Sequence, residues 1–535
     1  MVEAISTFHQ KLKDKGFFHA VYLLSLVAFA VGILYSRALL SMSQMGFAGA
    51  FLLEGGLIQK ARRIFSDKIA LILIGIYLLH VVGLLFSNDF GYAWQDLRIK
   101  APLLIYPVIF AGTNFLTKEV FQKFNVLFIL LVFSRTLAIL GYYLINIQEI
   151  RDMREAFFLI SHIRFSLILC LSIMLSAYHF INSANKMRIV YIFLCLWFLL
   201  FMIYFELITG IFIVLLCIPV VTGYILKRFR NKDRLTKWIF YGGSAVLIAM
   251  AIHVGGLILT FSAQNSYKPA KDLEFTSNHR PYQQLYKHDR RIWMKENGHL
   301  IYQNVCFEEL ESQWNSRSTK KINYANNEIT ATEIALIRYL ASKGMTKDSA
   351  SVATLTSDEI KAIERGILNA DYIGAPGYKI RIHKIVWELD NYFSGGDFNG
   401  HSSAMRLEFW KTGWHIIQNN FWTGVGTGDQ ENAFLEQYEK DNSRLREDWR
   451  FRAHNQYISM TVAFGIFGFL YFLSALFIPL YRNRKDLIYL GFMLITLLSM
   501  FTEDTLDTQI GVSFFAFFNC YFLFRQNETD VPQSS

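Results

Sequence analysis

Runs of apolar residues long enough to cross a lipid bilayer recur along this sequence. A helix needs about 20 such residues to cover a hydrocarbon layer about 30 Å thick, because in lipid every backbone amide must be bonded within its own segment. The runs lie near 17–35, 38–58, 68–87, 101–116, 122–146, 160–181, 189–206, 207–226, 238–261, 456–480, 487–503 and 508–524. They predict an all-α, polytopic membrane protein of about twelve transmembrane helices. The composition, 53% apolar and 18% charged over 535 residues, agrees. The second run is the weakest, because Glu54 sits late in it and four glycines dilute it. The stretch from Ile189 to Leu226 is too long for one helix, and folds at Glu206 to Gly210. The last apolar stretch folds likewise at Glu503 to Asp507.

Short loops rich in Lys and Arg stay preferentially on the cytoplasmic side. Lys11 to Lys15, Lys60 to Lys68, Lys118 and Lys123, Lys186 and Arg188, Lys227 to Lys237, and Arg482 to Lys485 all fall on one side of the predicted spans. Both termini are therefore expected in the cytoplasm, and the segment 262–455 outside it. The net charge of +10 then describes topology and calls for no nucleic acid. No small-residue cleavage site follows Tyr35, so the first run reads as a retained helix. Four cysteines lie in spans and leave Cys306 alone in the outer segment, with no partner for a disulfide there.

The expected organisation is a membrane part over 1–261, an outer subdomain over 262–455 and a second membrane part over 456–535. The outer segment is too long for a connector and should fold as a mainly helical subdomain. One helix is predicted over 329–342, ended by Gly344. Thr356 and Glu359 form a capping-box pattern for a second, which Gly366 stops. A third runs over 403–418, where Leu407, Trp410, Trp414 and Ile417 recur at helical spacing.

The chemistry-bearing residues concentrate in 401–470. Arg406 follows His401, the turn Gly424-Val425-Gly426-Thr427-Gly428 follows a short apolar segment, and His454-Asn455 directly precedes a span containing Gly465 and Gly468. Arginine is permanently charged and its forked donors suit phosphate, whereas histidine exchanges a proton near neutral pH. A lone interfacial His or Arg is more often a snorkelling residue, and a Gly-x-Gly-x-Gly turn alone is weak. The loop histidines 279, 288, 299, 383, 401 and 415 have no metal-ligand spacing.

In combination these residues resemble the O-antigen ligase and polymerase family. The resemblance implies an integral-membrane glycosyltransferase that needs no metal, cofactor or nucleotide sugar. Its donor would be an undecaprenyl-diphosphate-linked glycan and its acceptor lipid A-core or another glycan at the outer leaflet of a bacterial inner membrane, with the large loop periplasmic. Arg406 would contact the diphosphate and His454 would take the acceptor proton, with Asn455 and Gly426 beside them. Members often carry a Ser-Arg pair at an outer turn, where this chain reads Glu206-Leu207-Ile208-Thr209-Gly210. Arg98, Lys100 and Arg164 are the candidates to replace that arginine. Arg135, inside the fifth span, is a further cation, with Glu54 as its expected partner. Glu503, Asp504 and Asp507 are candidates to orient the cations or the acceptor. A repeat-unit polymerase or a protein O-oligosaccharyltransferase would use the same leaving group. A polysaccharide transporter would show repeated halves, which this sequence lacks.

The orientation is checked with a reporter active only outside the cytoplasm. Fusions after Gln264 or Asn399 should be active and those after Arg63, Lys232 or Arg484 silent. Activity at Lys232 would invert the topology.

Overall fold

The computed structural model describes residues 16–147, 150, 153–157, 159–183, 185–228, 234–287, 293–324 and 330–525. In chain order the helices are α1 (Phe17–Tyr35), α2 (Arg37–Leu53), α3 (Leu57–Ser66), α4 (Lys68–Val82), α5 (Phe90–Lys100), α6 (Pro102–Gly112), α7 (Lys118–Ile145), α8 (His162–Asn182), α9 (Asn185–Tyr204), α10 (Ile208–Arg228) and α11 (Arg234–Gln264). They continue as α12 (Phe307–Arg317), α13 (Ala331–Ser342), α14 (Ser349–Thr354), α15 (Ser357–Glu364), α16 (Gly377–Phe393), α17 (Ser402–Asn419), α18 (Gln430–Lys440), α19 (Gln456–Arg482), α20 (Leu487–Ser499) and α21 (Gln509–Leu523). Each of the twelve apolar runs contains a helix. Among the described residues, seven helices are long and apolar enough to cross a membrane, while the apolar parts of α10, α20 and α21 are shorter. The chain is thus an all-α, polytopic membrane protein. The lysines at 11, 13 and 15, His288, and part of the basic stretch 227–237 lie outside the described residues.

Helix starts follow side-chain chemistry. Ser36, Asp67, Thr117, Asn455, Asp486 and Thr508 each accept hydrogen bonds from first-turn amides of the helix they precede. Pro102 opens α6, where a missing N–H costs nothing. The basic segment after Glu54 is a ten-residue helix, α3, turned by Gly55 and Gly56 at positive φ.

The chain divides into two compact units. The first comprises 1–244, 409–441 and 451–535, the second 245–408 and 442–450. The boundary differs from a subdomain over 262–455, because the end of α17, the glycine turn and α18 fold with the membrane helices. In the second unit, Trp314, Leu336, Tyr339 and Leu340 form a core, and Arg338 bonds Glu296 and lies 3.9 Å from the Trp387 ring. The three helices expected in 262–455 are present as α13, α15 and α17, and α15 carries the full Thr356–Glu359 capping box.

Within the first unit, the glycine turn fills a break in a span. Gly465 takes φ 61° and ψ −165° and interrupts α19. The carbonyls and amide that the break frees would be costly in lipid. They are met by the turn: Val425 N–H bonds Val462 O at 2.9 Å, Gly426 N–H bonds Ala463 O at 2.9 Å, and Ile466 N–H bonds Phe421 O at 2.8 Å. The same turn holds the end of α4, where Thr427 Oγ1 donates to His80 O at 2.6 Å and the Gly428 amide to Ser87 Oγ at 2.9 Å. A Cβ on Gly426, at φ 90°, would stand 2.7 Å from Ser87 Oγ and 2.8 Å from Gly83 O. One on Gly465 would stand 2.3 Å from Trp422 O.

Gly426→Ala and Gly465→Ala should each lose about 1–2 kcal/mol to backbone strain and about 1–3 more to overpacking. Thermal unfolding in detergent should show both melting well below the native chain. Gly141→Ala, whose Cβ would meet nothing within 4 Å, should melt with it.

Candidate functional site

The acidic turn between α20 and α21 is the centre of a buried ion network in the first unit. Asp507 receives Lys100 Nζ at 3.0 Å and Arg452 Nη1 at 3.0 Å, and Lys100 also holds Asp96 one helical turn away at 2.7 Å. Lys100 and Asp507 are 1% and 3% exposed, so neither charge is sustainable alone. Asp504 accepts from Ser459 Oγ at 2.7 Å and from the backbone N–H of His454. Gln456 accepts from Leu506 N–H at 2.7 Å, and Asn455 Nδ2 donates to Phe501 O at 3.1 Å. The start of α19 and the acidic turn are therefore one polar assembly.

Three carboxyls face two cations here, and the environment sorts them. Burial works against ionising Asp507, but Lys100 and Arg452 outweigh it and bring its carboxyl down to about 2. Burial and the nearby Asp507 push Asp504 up to about 6, against the pull of Arg452 and its hydrogen bonds. The Asp507 charge keeps Arg452 firmly protonated.

His454 stands at the edge of this assembly. Its backbone is left-handed, φ 46°, which costs a non-glycine residue about 1 kcal/mol. Its ring lies 5.8 Å from that of Phe409 and 6.1 Å from that of Phe451. Asn455, next to it, is buried and caps α19 by accepting from Tyr457 N–H and Ile458 N–H. Gly426 spends its amide on Ala463 O. Both are engaged in structure, whereas the sequence placed them at the substrate.

The candidate cations take different positions. Lys100 is consumed by two carboxylates. Arg98, on the same helix, is exposed, and among the described residues it makes no hydrogen bond or ion pair. It lines a cleft of about 530 Å³ with Trp94. Arg164 lines a separate small pocket with Glu503 and Thr505. Arg406 is half-buried on the second turn of α17, in the second unit. Arg135 does not pair with Glu54, which instead bonds Lys60 at 2.8 Å and Tyr22 at 3.3 Å; the Arg135 guanidinium lies 5.3 Å from the Tyr35 ring. Among the described residues no group of three or more His, Cys, Asp or Glu is placed to hold a metal ion.

Residues 372–473, which include Arg406, the glycine turn and His454, match the family model described as O-antigen ligase. That segment is similar to the O-antigen ligase family. No curated protein matches the chain. The matched segment takes in α19 as far as residue 473, so it covers the broken span as well as the residues before it. Sequence reasoning missed Arg452 and Asp96. Asp96 had a signal, since an acid four residues before Lys100 shares its helix face. Arg452 had only its place two residues before His454.

Lys100→Met should leave Asp507 under-compensated and cost about 3–5 kcal/mol, read as a fall in melting temperature. Asp504 has the opposite sign of linkage. Because folding raises its pKa, ionising it costs stability, absent below about pH 4 and complete above about pH 6. The melting temperature of Asp504→Asn relative to the native chain should therefore rise between pH 4 and pH 6. A difference that is flat across that interval would show that Asp504 does not titrate there.

Proposed function

We propose that this protein is a glycosyltransferase of the ligase type, moving a glycan from undecaprenyl diphosphate to a hydroxyl of an outer-leaflet acceptor such as lipid A-core. The observation that carries the reading is His454: a titratable side chain inside the matched segment, held in a strained backbone by a buried ion network. Such strain persists only where surrounding structure fixes it, and it concentrates at functional positions.

In the reaction the acceptor oxygen bonds the anomeric carbon as the bond from that carbon to the diphosphate oxygen breaks. The acceptor proton passes to the imidazole of His454, and the leaving electron pair stays on the diphosphate. Arg406 supplies fixed positive charge for that developing anion. Buried Lys100 and half-buried Arg452 act at one remove: they hold Asp507, and with it the acidic turn on which His454 and α19 rest. The basic loops would face the cytoplasm and the segment 262–455 the periplasm.

Deletion in the native host, followed by a gel of surface lipopolysaccharide, tests the reaction. Loss of all ladder bands with accumulation of lipid-linked glycan is the ligase outcome. A single-repeat band means polymerase, and an unchanged pattern removes both.

Residue roles separate kinetically. Arg406→Lys keeps the charge without the fork and should retain part of the activity that Arg406→Ala loses. His454→Ala should lose about 10²–10⁴ in transfer rate while still binding donor, and His401→Ala should not. The rate should show one limb at about pH 6 to 7 that persists in Asp504→Asn, which assigns it to the imidazole. Equal losses in His401→Ala and His454→Ala would end the base assignment.

A further inference from the structure

The cleft beside Arg98 is built from three helices of the first unit. Trp94, Gln95 and Arg98 come from α5, Ser41 and Gln44 from α2, and Gln509 from the start of α21. Its volume, about 530 Å³, falls within the range of small-molecule sites. Trp94 is 66% exposed, so one indole face is open. The amide nitrogens of Gln44 and Gln509 donate to Ser513 Oγ at 2.9 Å and Ser41 Oγ at 2.7 Å, which fixes both side chains.

An exposed Trp and Arg near the end of a span is ordinarily a membrane-interface anchor. An anchor needs no polar floor. Here one hydroxyl and three amides line a concave volume, and Gln44 lies two turns into an apolar helix, where an amide is expensive and marks a substrate path more often than a defect. A flat aromatic face, amides and one uncommitted cation within a single cleft match a pyranose attached to a phosphate. The C–H face of the sugar covers an indole, its hydroxyls bond amides, and the phosphate takes the guanidinium.

We propose that this cleft is a saccharide subsite for a lipid-borne glycan, with Trp94 as the stacking platform, Gln44, Gln95 and Gln509 as hydroxyl partners and Arg98 on the adjoining phosphate. This rests on the glycosyltransferase reading and adds to it a recognition site for the sugar. Donor and acceptor both present a sugar beside phosphate on a lipid, so the test separates them.

Purified full-length protein in lipid nanodiscs is titrated with three probes: undecaprenyl diphosphate carrying the host repeat unit, undecaprenyl diphosphate alone, and lipid A-core. Trp94→Ala should weaken one glycan-bearing lipid by about tenfold, leave sugar-free undecaprenyl diphosphate unchanged, and be rescued largely by Trp94→Phe. The lipid that loses affinity names the source. Arg98→Ala should weaken undecaprenyl diphosphate as well if the donor is the occupant. Native protein that prefers glycan-bearing lipid, with Trp94→Ala unchanged toward both, overturns the subsite and leaves the glycosyltransferase reading standing. Native protein that binds no glycan-bearing lipid overturns both. Circular dichroism of each variant confirms that it is folded.

Discussion

The paired burial of Asp507 with Lys100 and Arg452 is the interaction on which the polar architecture of the first unit depends. A carboxylate that is 3% exposed cannot remain ionised without partners, and Lys100, 1% exposed, needs carboxylates as much as Asp507 needs cations. The cations come from far apart in sequence, one at the end of α5 and one just before α19. Their shared carboxylate therefore fixes the acidic turn, the start of α19 and α5 against one another. His454 and Asn455 inherit their positions from that arrangement, one through its backbone N–H to Asp504 and the other through its side-chain amide to Phe501 O.

The spans were legible because hydrocarbon imposes a length and a composition that few other environments impose. Even the folds at Glu206 and at Glu503 to Asp507 were visible, since charge is costly in lipid and an over-long apolar run turns most readily where charge interrupts it. Positions that depend on a distant partner were not. Glu54 and Arg135 looked like a pair because both are costly inside lipid, yet Lys60 in a neighbouring short helix reaches Glu54 first. Lys100 and Arg98 looked equivalent two residues apart. A helix turns about 200° over two residues, so one faces Asp507 inside the unit and the other faces the cleft.

The glycine turn shows why a motif is weaker than its surroundings. Read alone, Gly424 to Gly428 resembles a phosphate cradle, because glycines let backbone amides approach a ligand. The approach is real, but the object approached is the protein itself: the carbonyls of Val462 and Ala463 and the end of α4. Only the break at Gly465, which no periodicity reveals, identifies what the glycines are for.

That break has a consequence for biogenesis. The first half of α19 cannot be a self-sufficient hydrophobic hairpin partner, since its exposed backbone groups are satisfied only by Phe421 to Gly426. The end of α4 waits on the same residues, more than 300 positions downstream. Co-translational insertion must therefore deliver an early helix whose polar end stays unsealed until most of the chain has emerged. The glycine turn thus ties α4 to α19, two helices from opposite ends of the chain.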